Sequence, residues 1–309
     1  MHLYEFLNII NDFDLLWNYL CEKKVVRNQI KCPKCDNKLN VRCTENKILH
    51  CTSKYYKRYK GRKRQKITCN FKISVFHGTW FENAHIDIQK ICRFIAYFLM
   101  IQPPRQPFLM NELEMSSSSV VDWINFCREL LQQWVLNKQK VIGGNGRIVE
   151  LDEAKIGKRK YNKGRIIEGQ WVFGGIERNT KNIFILPVPN RSSNTLSSII
   201  QNYVLPGSII YTDQWRAYRD LENNNNYTHC TVNHSVNFVN PDTGVHTQNI
   251  ERVWRDMRAN IPRYGTREKH YIYCLTEFLF KRIYNFDERI DTFFEIMSTM
   301  YPLDDLNVK

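Results

Sequence analysis

The chain has 309 residues, with 45 lysines and arginines against 31 aspartates and glutamates, and its formal net charge is +14 at pH 7. This length is ample for a substantial core and favours two domains, or one large domain with appendages. The excess of cations favours a polyanionic partner, and nucleic acid is the obvious one. A merely basic soluble protein is the alternative.

A membrane span, a secretion signal and a disulfide scaffold are all disfavoured. No apolar run approaches the roughly 18–20 residues that cross a bilayer. The first twenty residues carry acids and lack the basic segment and cleavage site of a signal peptide. Ten cysteines in 309 residues are too dilute for a disulfide-rich fold. We therefore expect a soluble intracellular protein in a reducing compartment.

The chain is predicted to open with one or two short helices over residues 3–20, where apolar residues recur at helical spacing. Their expected role is packing. We assign residues 1–28 to this N-terminal helical segment.

Cysteines characterise the next segment, residues 29–84. It contains a Cys-x-x-Cys pair followed by two further cysteines, a pattern that indicates a tetrahedral zinc site in a reducing compartment. The second pair is not a tight knuckle because its members are 18 residues apart. Cys43 and His50 are therefore possible substitutes, and a few buried free thiols are the alternative to a metal site. We predict one structural Zn²⁺ with the ligands Cys32, Cys35, Cys51 and Cys69.

A basic run, KYYKRYKGRKRQK, occupies residues 54–66 within this cysteine-containing segment and includes three tyrosines. Its cations can contact phosphates and its tyrosines can stack on bases. A nuclear-import signal and a solvated loop are the alternatives. We predict that nucleic acid is contacted here by Arg62, Lys63 and Arg64.

Residues 85–142 are predicted to be helical. Apolar spacing indicates one helix near 86–101, a short helix near 108–113 and, after a serine-rich turn, a longer helix near 120–135. A short helix, a turn and a long helix are compatible with a helix-turn-helix that reads the DNA major groove. A plain helical packing domain has the same pattern, so both interpretations remain open.

Three acids then stand out, past a glycine-rich stretch at 143–146 that we interpret as a linker. RIVELDEA, residues 147–154, predicts a buried strand that carries carboxylates, and SIIYTD predicts a second strand that ends in an aspartate. HTQNIERVWRDMR predicts a helix with a glutamate beside its apolar stripe. A desolvated carboxylate is costly unless it is paired or holds a metal. Taken alone, each acid would be interpreted as solvated or salt-bridged. Together they are what a two-metal phosphoryl-transfer site needs, and the candidates are Asp152, Asp213 and Glu251.

The predicted element order gives the fold class of this domain, for which we assign residues 147–290, followed by a tail at 291–309. Three consecutive strands, a crossover helix and a further strand follow the order of an RNase H-like α/β fold. In such a sheet the first and fourth strands are neighbours, so Asp152 is expected near Asp213. Strands are predicted near 147–154, 169–177, 182–188, 208–212 and 228–232, and helices near 193–204, 214–222, 247–260 and 269–284.

From Val149 through Arg267 the sequence resembles the catalytic domain of DDE transposases of the Merlin superfamily and the related bacterial insertion-sequence transposases. The matching segments cover more than a third of the chain in order. They are VELDEAKIGKRKYNKGR, EGQWVFGGIER, PVPNRSSNTL, VLPGSIIYTDQWRAY, YTHCTVNHSVNFVNPDTGVHTQNIERVWRDMR and IPRYGTR. The resemblance implies that Asp152, Asp213 and Glu251 hold two Mg²⁺ or Mn²⁺ ions. It also implies an N-terminal zinc ribbon, within which residues 54–66 look like an insertion. One departure is Arg258, where that family usually has lysine.

The resemblance implies a DNA transposase, active or domesticated, which nicks DNA at element ends and joins the freed 3′-hydroxyl to target DNA. Its expected partners are double-stranded DNA, as terminal inverted repeats and as target, and a second copy of the chain in a dimer on DNA. The alternatives are a non-catalytic DNA-binding regulator derived from a transposase, and an RNA-cleaving or structure-specific nuclease on the same fold. The expected location is the nucleus in a eukaryotic host, and the cytoplasm or nucleoid in a bacterial one.

Residues around the acids carry further predictions. The loop at 155–165 follows the first acid, so its cations are expected to hold the DNA backbone. His234 and His246, in the irregular stretch before the third acid, either approach the substrate phosphate or are structural hydrogen-bonders. The predicted backbone contacts near the acids are Lys158, Arg159, Lys160 and Arg258.

Asn249 is an alternative third metal ligand. Two residues on a helix are separated by about 200° of rotation, so Asn249 and Glu251 cannot both face the same pair of ions. Glu251 is two turns from Arg258 and shares its face. A carboxylate also neutralises a divalent pair, which an amide cannot do. We therefore favour Glu251.

Overall fold

The computed structural model describes residues 1–41, 47–57, 63–157, 169–221, 224–233, 236, 239–241, 243–261 and 270–303. The chain forms two compact units, one of Met1–Leu130 with Tyr284–Lys309 and the other of Leu131–Ile283. No helix in this described part of the chain is long and apolar enough to cross a membrane.

The first unit opens with α1 (Leu3–Asn11) and α2 (Phe13–Glu22), as predicted. The C-terminal helix, Arg289–Met300, belongs to the same unit and corrects the prediction of a tail from residue 291. Its Phe294 ring lies 5.6 Å from the ring of Phe6, and the terminal ammonium of Met1 pairs with Asp291 at 2.9 Å. The apolar residues of this segment thus have a core to join, and that core comes from the opposite end of the chain.

The cysteine-containing segment is built from three antiparallel strand pairs. Strand β4 and its partner β5 form a hairpin that is inserted between Cys51 and Cys69, in agreement with the interpretation of residues 54–66 as an insertion. The strands are β1 (Gln29–Lys31) with β2 (Lys38–Asn40), β3 (Ile48–Cys51) with β6 (Phe71–Ser74), and β4 (Lys54–Lys57) with β5 (Gln65–Thr68).

Three helices follow, namely α3 (Ile88–Met100), α4 (Gln106–Glu112) and α5 (Ser117–Lys138). The Ser116 hydroxyl accepts a hydrogen bond from the backbone N–H of Ser119 at 3.1 Å and so caps the start of α5. Exposed positions of α5 include Asp122 and Glu129, which would repel rather than attract phosphates. DNA reading by this helix stays a prediction.

The second unit contains a five-stranded sheet in the order β10-β9-β8-β12-β13. β8, β9 and β10 are antiparallel to one another, whereas β12 runs parallel to both β8 and β13. This is the strand order and direction of an RNase H-like sheet. In chain order its strands are β7 (Ile142–Gly143), β8 (Ile148–Ile156), β9 (Gln170–Glu177), β10 (Ile183–Val188), β11 (Val204–Leu205), β12 (Ile209–Asp213) and β13 (Thr228–Val232), with β7 and β11 forming a separate parallel pair.

The glycine-rich stretch at 143–146 is part of this unit, and its interpretation as a linker was wrong. Gly143 is buried in β7, and its backbone N–H donates to Glu177 Oε2 at 3.0 Å. A Cβ at this position would lie 2.2 Å from Ser208 Oγ, and the φ of +87° also favours glycine. The glycine serves close packing.

Helices cover both faces of the sheet. On one face α6 (Ser193–Tyr203) buries Leu196 and Ile200 against Leu151, Phe173 and Ile210 of the strands. The other face is covered by α7 (Gln248–Asn260), which is followed by α8 (Tyr271–Ile283). The helix predicted near 214–222 is a short 3₁₀ helix, Arg216–Leu221.

Candidate active site

Strand register brings the first two predicted acids together. β12 pairs with β8 at a constant offset of 61 residues, from Ile209 opposite Ile148 to Tyr211 opposite Glu150. Continued by two residues, the same offset sets Asp213 opposite Asp152. Side chains alternate along a strand, so both aspartates point to the face of the sheet that α7 covers.

α7 supplies the third acid to this edge of the sheet. Its buried residues Ile250, Val253 and Met257 hold the helix against the core, and the residues between them face an open cleft of about 650 Å³. The predicted residues Asp152, Asp213, Glu251 and Arg258 all line this cleft. Its complete lining is Asp152, Glu153, Asp213, Gln248, Glu251, Arg252, Trp254, Arg255 and Arg258.

The negative charge in the cleft is poorly compensated. Burial, with repulsion from Glu153 and Asp213, raises the pKa of Asp152 to about 7. Neither Asp152 nor Asp213 has a lysine or arginine partner among the residues that the structure describes. The Trp254 indole donates to Asp152 Oδ2 at 3.0 Å and orients it. Hard oxygen ligands in this environment fit Mg²⁺ or Mn²⁺.

The spacing of the acids also bears on the number of ions. Across the described ranges, only cysteines gather three or more ligand atoms within 4.8 Å of one another. The three carboxylates are therefore more widely spread along the cleft. That spread suits ligands shared between two ions about 3.5–4 Å apart better than a closed site for one ion.

Glu150, which the sequence analysis did not assign a role, holds the start of α7. It is fully buried. Its Oε2 accepts from the backbone N–H groups of Asn249 at 2.8 Å and Ile250 at 3.1 Å, and its Oε1 accepts from Arg178 Nε at 2.6 Å. The first-turn N–H groups of a helix need such acceptors, and the N-cap Thr247 supplies no side-chain bond. Glu150 therefore caps α7 from the strand.

Arg178 completes this connection. It donates from Nη2 to the backbone oxygen of His246 at 2.8 Å, just before α7 begins. Glu150 and Asp152 lie on the same face of β8, so the strand that carries the first acid also fixes the helix that carries the third. The sequence held one signal, an acid two residues before Asp152 in a buried strand.

Glu150→Gln tests this capping role. Removing one member of a buried, hydrogen-bonded ion pair costs about 3–5 kcal/mol, so we expect the free energy of unfolding to fall by about that amount and metal-dependent activity to fall with it. Arg178→Gln should behave alike. Because each single change strands a charge, the double variant should lose less stability than the two single losses combined in a denaturant-unfolding cycle. Additive losses would contradict the pairing.

The structure separates the two candidate third ligands. The Asn249 side chain donates from Nδ2 to Glu150 Oε1 at 2.7 Å, while Glu251 lines the cleft. Between the two histidines of the preceding stretch, His234 lies outside the described residues. His246 accepts from the backbone N–H of Gln248 at 3.3 Å, which supports a structural role.

The predicted DNA-contacting residues are only partly described. Lys63 and Arg64 are exposed beside β5, and Arg258 is exposed in the cleft. Arg62, Lys158, Arg159 and Lys160 lie outside the described residues. The cleft also contains two arginines that the sequence analysis missed, Arg252 and Arg255, although their helical spacing from Arg258 was a usable signal.

A second candidate metal centre lies in the cysteine-containing segment. The sulfur atoms of all four predicted cysteines lie within 4.8 Å of one another. The Sγ–Sγ distance is 3.5 Å both for Cys32 with Cys69 and for Cys35 with Cys51. Sulfur ligands about 2.3 Å from a tetrahedral zinc ion are about 3.8 Å apart. The four thiols therefore fit one zinc ion.

The inserted hairpin explains how two cysteines 18 residues apart can meet. Lys54 pairs with Thr68, and the backbone N–H of Cys69 donates to the oxygen of Ser53 at 2.8 Å. The hairpin thus closes the long separation at its base. His50 is exposed beside Cys51 in β3 and is absent from the cluster, whereas Cys43 lies outside the described residues.

Comparison with known proteins gives the family. Residues 142–282 match the model of the ISXO2-like transposase domain. A transposase-like protein of Haemophilus influenzae is 30% identical over 96 residues, which cover 31% of this chain and 76% of that protein. These matches do not name the Merlin superfamily, so that narrower assignment stays a prediction.

Retroviral integrase catalytic cores are among the similar solved structures. The core of bovine BIV integrase is 16% identical, with 41% of this chain and 80% of that chain covered and a TM-score of 0.27. The core of HTLV-2 integrase is 14% identical, with coverages of 53% and 90% and a TM-score of 0.27. At that TM-score these likenesses carry no functional weight. Through the matches to the domain model and to the Haemophilus protein, the chain belongs to the family of transposases with an ISXO2-like transposase domain.

Proposed function

We propose that this protein is a metal-dependent DNA transposase that cleaves DNA strands at element ends and joins them to target DNA. One observation carries the proposal. Asp152 and Asp213 share a register on one face of the sheet, and α7 holds Glu251 at the same cleft. In a chain of this family, a complete set of acids favours retained chemistry over decay.

Asp152, Asp213 and Glu251 are the residues that would hold two Mg²⁺ or Mn²⁺ ions. The chemistry that such ions supply is activation of the attacking water or 3′-hydroxyl and stabilisation of charge on the phosphate. The protein's own part is positional. Trp254 orients the Asp152 carboxylate, and Glu150 fixes the helix that carries Glu251.

The cationic side of the cleft is suited to the DNA backbone. Arg252, Arg255 and Arg258 recur along one face of α7, are exposed and line the cleft with the acids. Their positive charge can neutralise phosphates beside the reacting one. We include Lys63 and Arg64 of the basic hairpin, and the predicted cations at 158–160, in the same DNA-binding surface.

The zinc ion, the oligomer and the location complete the proposal. A structural Zn²⁺ at the four cysteines would hold the inserted hairpin. DNA ends and target would be joined by a dimer, and the protein would act where DNA lies, in the nucleus of a eukaryotic host or the nucleoid of a bacterial one.

The function is tested by nicking of a supercoiled plasmid that carries the sequences flanking the coding region, with Mn²⁺ added. Wild-type protein should nick it. Glu251→Gln should lose activity by about a hundredfold or more, since charge stabilisation at the phosphate is worth several kcal/mol. Asn249→Ala keeps the backbone cap of α7 and should stay within about tenfold of wild type.

Two outcomes would contradict parts of the proposal. Near-normal cleavage by Glu251→Gln with loss in Asn249→Ala would reverse the third-ligand assignment. A wild-type protein that binds these DNA sequences tightly but never cleaves them, with either metal, would favour the non-catalytic regulator.

A further inference from the structure

A guanidinium lies between two indoles at the margin of the acid cleft. The Arg191 guanidinium carbon is 3.9 Å from the ring centroid of Trp171 and 4.6 Å from that of Trp215. Lys155 Nζ lies 5.4 Å from the Trp171 ring. We call Trp171, Arg191 and Trp215 the indole stack.

The indole stack is tied to the acids. Arg191 Nη1 lies 3.8 Å from Glu153 Oε1, and the Glu153 side chain is only 3% exposed. Tyr218 donates its hydroxyl proton to the other oxygen of Glu153 at 2.7 Å. At the other end, the backbone N–H of Trp215 donates to Asp213 Oδ1 at 3.0 Å. The stack is therefore held in a fixed position relative to the cleft.

The two indoles differ in what packing explains. Trp171 packs against the core beneath α6, so its role in folding is clear. Trp215 is 42% exposed, although one of its faces lies on Arg191. A large aromatic surface left in water two residues after a cleft acid contributes little to the core. It does offer a flat surface for a ligand.

Chemistry identifies that ligand. Nucleobases stack on aromatic side chains without regard to sequence, and a guanidinium adds attraction for the π-system and for nearby phosphate. A base inside a duplex has both faces covered by its neighbours, so only an unpaired base can use such a platform.

We propose that Trp215, backed by Arg191, is a stacking site for one unpaired nucleobase next to the phosphate that enters the acid cleft. The inference rests on the proposed function and deepens it, because the substrate at the cleft is then locally single-stranded.

Binding without catalysis tests the site. The probe is a short single-stranded oligonucleotide with one 2-aminopurine, whose fluorescence is quenched by stacking, and no Mg²⁺ or Mn²⁺ is added. Trp215→Ala should weaken binding at least about fivefold and relieve the quenching, since stacking contributes on the order of 1–3 kcal/mol per base. Trp215→Phe keeps a ring and should retain most of both. Tyr4→Ala, which removes a ring that is 64% exposed in the other unit, should match wild type.

A second arm separates stacking from mere support of Asp213. With Mn²⁺, Trp215→Ala should cleave a paired duplex more slowly than wild type and recover on the same duplex with unpaired nucleotides beside the cleavage point. Equal losses on both substrates, or single-strand binding like that of wild type, would overturn the proposal. If wild-type protein cleaves no DNA, the proposed function fails, yet the binding arm still decides whether an unpaired base stacks on Trp215.

Discussion

Replacing Asp152 or Asp213 by asparagine should reduce Mg²⁺- or Mn²⁺-dependent strand cleavage by at least about a thousandfold, because each change removes a charged ligand from a site that stabilises several kcal/mol of developing charge. DNA affinity should stay within a few fold of wild type, since cationic contacts supply most of it. The measurements are the nicking rate and a gel-shift titration at one fixed salt concentration.

The matched control is Asp122→Asn, the same chemical change at an exposed position of α5, and it should cleave normally. Cleavage retained by Asp152→Asn or by Asp213→Asn would refute the site.

Stability provides an independent check on Asp152. The carboxyl has a pKa raised from 3.8 to about 7 in the folded protein, so folding favours its protonated form. Its ionisation costs stability progressively as pH rises from about 4 to 7, and the cost is complete above that range. Without divalent metal, Asp152→Asn should therefore gain stability relative to wild type between pH 4 and pH 8.

Loss of zinc should have the second large effect. Purified protein is expected to contain about one zinc ion per chain, and Cys51→Ser should abolish binding because it breaks a four-thiolate site. Zinc contributes about 10–16 kcal/mol of folding free energy in small zinc domains, so the cysteine-containing segment should unfold and its inserted hairpin become sensitive to protease. Elemental analysis and limited proteolysis measure the two effects.

Cys230→Ser is the control, because this half-buried thiol lies in β13 of the other unit. It should leave zinc content unchanged. A protein that is folded yet free of metal would reduce the cluster to buried thiols.

The fold of the second unit was predictable because its signals are local. Strand and helix periods, the proline and glycine breaks and the order of elements are all written in short segments. The shared 61-residue offset of the strands and the aspartates then follows from pairing β12 with β8. Proximity of Asp152 and Asp213 thus needed only the strand order.

What escaped prediction depends on distant packing. Gly143 resembled a linker residue, because its need for a small side chain comes from Ser208. The C-terminal helix resembled a tail, because its partners lie at the start of the chain. The role of Glu150 was hidden for the same reason, since its partners are a strand end and a helix start that only the fold brings together.

The attachment of α7 to β8 has an evolutionary consequence. Because Glu150 and Asp152 anchor the helix directly, the position of Glu251 is set by one strand and is independent of the connection that leads from β13 into α7. That connection needs only to span the gap. It can therefore accept insertions and substitutions while the spacing of the acids is kept. Relatives can diversify the connecting segment to suit different DNA partners without rebuilding the reaction centre.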